Sequence, residues 1–117
     1  MNKDYVCQRN KTVIVKQRGE THQLEMEKIT HITCDGYLSS IHLIDKEESI
    51  KVSKLLKLFE EELIEYDFIR VNNNTLVNIK NIASVKNKEK QIIINSTNQQ
   101  IKISRRKLHL FKSFLNK

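Results

Sequence analysis

Two short polar runs interrupt the apolar segments of this chain and carry side chains with paired hydrogen-bonding groups. In the first, three consecutive asparagines, Asn72, Asn73 and Asn74, follow Arg70 in FIRVNNNTLVN; in the second, Arg105, Arg106 and Lys107 follow Ser104 in IKISRRKLHLF. Asn and Arg are the residue types that grip a base edge in bidentate fashion, Asn at adenine N6/N7 and Arg at guanine O6/N7, each good pair giving about 1–3 kcal/mol of discrimination. The neighbouring cations are the type that holds phosphate without reading sequence. For Arg70 the alternative is an ion pair with Asp67 or another nearby acid.

The charge pattern points the same way. The chain has 117 residues, a formal charge of +7, and 21 Lys and Arg against 14 Asp and Glu, a balance that favours polyanionic partners. Residues 86–117 hold nine cations against Glu89 alone, whereas residues 45–67 hold eight acids and four lysines. Such asymmetry suggests one face turned toward an anion and one turned away, the alternative being a solvated basic tail. Catalytic machinery is missing from the pattern. His22, His31, His42 and His109 are scattered, with no nucleophile at motif spacing and no glycine-rich phosphate loop. His31 and His42 read as partly buried strand residues. Cys7 and Cys34 form no CxxC, so neither a metal site nor a disulfide framework is indicated, and no cofactor is expected. The only aromatics are three Tyr and four Phe, with no pair spaced to stack bases, which disfavours single-strand binding. No stretch approaches the length of a membrane span and the N-terminus lacks an apolar signal core, so a cytoplasmic location is expected.

The elements that must position these residues are mostly strands. Short segments rich in Val, Ile and Thr, bounded by polar turns, predict strands at 12–16, 22–25, 29–34, 37–43, 49–52, 68–70, 82–86, 91–94 and 100–103. Two segments have helical spacing. Leu55, Leu56, Phe59, Leu63 and Tyr66 form a stripe in residues 53–66, with Ser53 as N-cap and Glu60, Glu61, Glu62 and Glu65 facing outward, away from any nucleic acid. Ser104 caps a second helix whose stripe is Leu108, Phe111 and Leu115. Three cations in its first turn oppose the helix dipole and are better explained by a bound phosphate or base edge. The predicted class is mostly β with two short helices: one domain at 12–117 behind a polar N-terminal leader at 1–11.

Three blocks in this order, ITHITCDGYLSSIHL, FIRVNNNTLVNIKNI and IKISRRKLHLFKSFL, with the acidic-faced helix between the first two, resemble the LytTR family of DNA-binding domains from about Thr12 to Leu115. Asn72 stands where a His is common and Thr75 where an aromatic is usual. The resemblance implies an elongated multi-stranded β fold that lays loops, not a recognition helix, into successive DNA grooves. It implies Tyr37, Asn73 and Arg106 as base readers; for Tyr37 the alternative is an aromatic packed on the sheet. Arg70, Asn72, Asn74, Arg105 and Lys107 are the expected phosphate contacts, with Lys102, Ser39 and Ser40 as weaker ones. Asn78, ending a strand in the family pattern, reads as a structural turn residue. The implied partner is double-stranded DNA, at tandem repeat sites bound by two copies, with a sensor kinase or receiver domain elsewhere. The competing reading is a protein-interaction module that keeps the fold without specific DNA binding and docks through residues 53–66.

Overall fold

The computed structural model describes residues 5–7, 11–95 and 99–115. Among the described residues eleven strands make three sheets, and every strand pairing is antiparallel. The first sheet is β1 (Tyr5–Cys7), β2 (Thr12–Gln17) and β3 (Glu20–Glu25). The central sheet runs in the order β6-β5-β4-β8-β7, built from β4 (Ile29–Asp35), β5 (Leu38–Leu43), β6 (Ile50–Val52), β7 (Phe68–Asn72) and β8 (Thr75–Asn78). The third holds β9 (Ile82–Lys86), β10 (Gln91–Ile94) and β11 (Gln100–Lys102). Helix α1 (Leu56–Leu63) joins β6 to β7, and α2 (Leu108–Leu115) follows β11. The molecule is elongated, 44 × 26 × 25 Å.

Two separate cores explain that length. Val13, Val15 and Leu24 of the first sheet pack with Ile29, Ile32, Ile41, Val52, Phe68 and Leu76 of the central sheet and with Phe59 and Leu63 of α1. On the other face Val71 and Val77 join Ile92, Ile94, Ile101, Ile103 and Phe111. Side chains alternate across a strand, so Leu76 faces one core and Val77 the other. All four residues of β8 are buried. That burial on both sides removes the polar alternation that marks a strand in sequence, which is why 75–78 is absent from the nine strands predicted by periodicity. Tyr5–Cys7 is likewise a strand within the stretch read as leader, paired with Thr12–Ile14 of β2.

The sheets meet at two short helical turns. Met26–Lys28 carries the chain from β3 to β4, and Ile79–Asn81 carries it from β8 to β9. Asn78 Nδ2 donates to the carbonyls of Met26 (3.1 Å) and Ile29 (2.9 Å), while its Oδ1 accepts from the Lys80 amide (3.1 Å). Asn81 Nδ2 donates to Glu27 O (3.0 Å) and Ile29 O (2.8 Å). Both asparagines are buried, so each satisfies backbone acceptors that water does not reach. Asn78 is therefore structural, as its place in the pattern suggested.

The helices differ from the sequence reading at their starts. Neither Ser53 nor Ser104 makes a side-chain capping bond: α1 begins after Leu55, and Ser104 precedes a tight turn, Arg105–Lys107, accepting the Lys107 amide on its carbonyl (3.0 Å) without using its side chain. Leu55, placed in the apolar stripe by spacing, lies outside the helix and is exposed, whereas Leu56, Phe59 and Leu63 are buried. Lys54 explains the late start. It forms an ion pair with Glu62 (2.7 Å) and lies 4.7 Å over the Phe59 ring, and its carbonyl accepts from the buried Ser39 hydroxyl. Residues 53–54 are thereby tied to β5 between the end of β6 and the start of α1.

His31 and His42 face each other across β4 and β5, rings stacked 4.1 Å apart. The Thr30 hydroxyl donates to His42 O (3.1 Å) and so accepts from His31 Nδ1 (2.8 Å), which makes His31 the Nδ1–H tautomer and leaves its buried Nε2 without a partner among the described residues. Burial, and secondarily the charge of His42, push the His31 pKa down to about 3; burial also lowers that of His42.

These buried groups make two measurable differences. Asn78→Ala is expected to destabilise the fold by about 2–4 kcal/mol, since it strands buried carbonyls; urea denaturation measures this, and Asn78→Asp, which turns a carboxylate toward two carbonyls, is expected to be at least as damaging. For the histidines, the unfolded chain takes up a proton near the ordinary value of about 6.5 while folded His31 does not. Its contribution is thus complete above that pH and declines as pH falls toward 3, by up to about 1.4 kcal/mol per unit. Denaturation at pH 7 and pH 5 is expected to show this loss, and His31→Phe is expected to flatten the slope.

Candidate nucleic-acid interface

Three connections leave the sheets at one end of the molecule. The first is the Gly36–Tyr37 turn between β4 and β5, where Asp35 pairs with Leu38. Only Gly36 of the two has positive φ (64°), the pattern of a II′ hairpin, which glycine adopts without strain. Tyr37 is 84% exposed, so its ring stands in solvent and the reading of a sheet-packed aromatic is excluded. The second connection is Asn73–Asn74, between β7 and β8. The third is the Ser104–Lys107 segment leading from β11 into α2.

Hydrogen bonds lock the three together. The Cys34 amide donates to Asn74 O (3.0 Å) and the Cys34 thiol to Asn74 Oδ1 (3.8 Å), tying the first connection to the second. Asn72 Nδ2 donates to Lys102 O (2.8 Å) and the Ser104 amide to Val71 O (2.8 Å), tying the second to the third. Asn72 Oδ1 accepts from the Asn74 amide (2.8 Å), closing a side-chain turn over Asn73. Arg70 completes the scaffold: NH2 donates to Asn73 O (2.6 Å), Nε to Asn72 O (3.4 Å), and NH1 pairs with Glu60 of α1 at 3.1 Å.

These contacts sort the predicted residues by what they have left to offer. Arg70 and Asn72 are engaged in holding the loop, so of the sequence's two readings of Arg70 the ion pair is the one realised, with Glu60 as the acid. Glu60 accordingly turns toward the interface, not away from it. Asn73, Arg105, Arg106 and Lys102 are exposed, and Lys107 is half-buried. Ser39 is fully buried and unavailable to a ligand, and Ser40 is half-buried.

Asn72 and Asn73 line two adjacent concavities. One, of about 680 Å³, is also lined by Asn74, Lys90, Lys102 and Arg105; the other, of about 600 Å³, by Arg70, Arg106, Lys107 and His109. Asn73 thus stands on a ridge with cations on both flanks. Tyr37 belongs to neither hollow and projects from the adjacent hairpin. Lys90, which the sequence reading counted only within the basic C-terminal third, is brought to the rim by its place at the end of the β9–β10 turn, where its carbonyl accepts from the Ile103 amide (2.8 Å). The signal was available in the turn between 82–86 and 91–94, but which end of the molecule that turn reaches depends on the sheet order. Cations in the first turn before α2 oppose its dipole, so nothing in the fold itself favours them there. No group of His, Cys, Asp and Glu among the described residues is arranged to hold a metal ion, and no helix among them is long and apolar enough to cross a membrane.

Comparison with known proteins gives two findings. The family profile of the LytTr DNA-binding domain matches residues 19–116. The structure is similar to a solved LytTr DNA-binding domain of a putative methyl-accepting/DNA response regulator from Bacillus cereus, with a TM-score of 0.74 and 16% sequence identity over 91% of this chain and 97% of that one, which shows a shared fold. No curated protein sequence matches the chain significantly.

The hydrogen bonds around Asn73 predict that Asn72→Ala loosens the ridge. Amide exchange at Asn74 and Ser104 is expected to accelerate severalfold while exchange at Ile92 and Leu76, deep in the two cores, stays unchanged.

Proposed function

The chain belongs to the LytTr DNA-binding domain family, and from that premise we propose that it binds duplex DNA sequence-specifically as the output module of a transcription regulator, with Asn73, Arg106 and Tyr37 reading base edges. The observation that carries this reading is the asparagine ridge between two cationic hollows. Asn73 is exposed at the tip of a two-residue loop whose backbone is pinned by Arg70 and Asn72, so its side chain leaves the loop from a fixed point. Pre-organisation of this kind removes the ordering entropy that a free loop loses on binding. Lys90, Lys102, Arg105 and Lys107 flank it on both sides and are placed for phosphate, with Asn74 as a neutral donor beside them. Arg70 and Asn72 act by positioning the reader. Arg106 lies in the second hollow, where a guanidinium is suited to guanine O6/N7.

In this reading two copies occupy tandem repeats, and the control of binding comes from a receiver domain or sensor kinase outside this chain. Selection from a pool of random duplexes at near-physiological salt tests the proposal. Wild type is expected to enrich a short repeated site. Asn73→Ala and Arg106→Ala are each expected to relax preference at one base position, by roughly 5- to 150-fold, the equivalent of about 1–3 kcal/mol. Enrichment of no sequence, with weak binding that collapses as salt is added, would overturn the proposal and favour an interaction module that keeps the fold.

A further inference from the structure

A third cationic hollow lies at the same end of the molecule, on the other side of the Tyr37 turn. In the order β6-β5-β4-β8-β7 the asparagine loop closes β7 and β8, Tyr37 lies between β4 and β5, and the end of β6 flanks β5 on the opposite side. Against that strand stands the β2–β3 hairpin, whose tip is Arg18–Gly19. Lys16, Arg18, Leu38, Lys51 and Lys54 line a hollow of about 460 Å³ between them, and no carboxylate is among its lining residues. Lys54 is committed to Glu62 and to the Phe59 ring. Lys16, Arg18 and Lys51 are exposed and have no ion pair among the described residues.

A lysine on an edge strand such as β6 is a common guard against edge pairing, so Lys51 alone would carry nothing. Its convergence with two cations from a different sheet does. Arg18 occupies a left-handed position (φ 47°) in a tight turn where Asn, Asp or Gly is the conformational choice, so the turn itself gives no reason for arginine. Leu38, half-exposed on the wall of the hollow, directly follows Tyr37, so the hollow adjoins the proposed reader.

We propose that Lys16, Arg18 and Lys51 hold the duplex backbone on the far side of Tyr37, so that bound DNA is gripped by all three sheets rather than by the central and third sheets alone. This rests on the duplex-binding reading above but on different residues, two of which precede the matched family segment at 19–116. Three cations on one stretch of backbone neutralise phosphates and release their counterions, an effect that binding at varied salt measures directly.

The test uses the site that wild type selects. Lys16→Gln, Arg18→Asn and Lys51→Gln are combined, Asn being chosen because it tolerates the left-handed turn. The expected result is an unchanged base preference, a slope of log affinity against log salt that is shallower by about 0.9 for each phosphate no longer neutralised, and a hydroxyl-radical footprint shortened on the same side of each repeat. The charge-keeping set Lys16→Arg, Arg18→Lys and Lys51→Arg is expected to retain slope and footprint. An unaltered slope and footprint in the neutral variant would show these cations to be merely solvated and sink the inference while leaving the base-reading proposal standing. If wild type itself selects no site, the duplex-reading proposal falls first and takes this inference with it.

Discussion

Two buried asparagine side chains and one helical turn hold this molecule's architecture. Asn78 and Asn81 stand at the passage from the central to the third sheet, and both donate to the turn that brings the chain from the first sheet into the central one. Ile29 O accepts from both. An antiparallel sheet supplies backbone partners along its strands but not where the chain crosses between layers, so the crossings are where buried carbonyls would go unmet. Pairing one crossing against the other satisfies those groups and fixes the relative placement of the three sheets in one stroke. The interface at the opposite end inherits that placement, since its three connections come from strands whose angles and register are set there.

The interface itself divides polar residues into holders and presenters. Asparagine serves both roles because its amide has a donor and an acceptor on one short stem. Asn72 uses both on the scaffold, to Asn74 and Lys102, and Asn73 between them leaves its amide outward. The arginines divide in the same way: Arg70 is only part-exposed and bound to two carbonyls and a carboxylate, whereas Arg105 and Arg106 are exposed. Identical side chains a few residues apart therefore have different ligand-binding capacity, decided by what surrounds them.

That division marks the limit of what could be read from the sequence. The β-rich class, the two helices and nine of the strands were legible because Val, Ile and Thr alternate with polar residues where one face is solvated. Thr75–Asn78 was not, because a strand buried on both faces loses the alternation, and Tyr5–Cys7 was hidden in a polar stretch. The candidate site was legible as a set of residue types in three motifs. What local sequence could not supply was which of them are already occupied. Arg70 finds Glu60 from a helix ten residues away, and Asn72 finds the carbonyl of a residue thirty positions on, so both assignments depend on tertiary contacts. Lys90 and the hollow at Lys16, Arg18 and Lys51 were missed for the same reason: the ends of hairpins reveal their neighbours only once the order of strands is known.

The turns at this end are as short as antiparallel strands permit, two residues at Arg18–Gly19, at Gly36–Tyr37 and at Asn73–Asn74. A hairpin of that length has little slack, and a one-residue change in it must be absorbed by a bulge or else slips the register and turns the strand's side chains to the opposite face. Reach toward a ligand is consequently quantised by side-chain length rather than adjusted by loop length. Variation at the tips of such hairpins therefore comes by exchange of single side chains, such as those exposed at Tyr37 and Asn73, rather than by change of loop length.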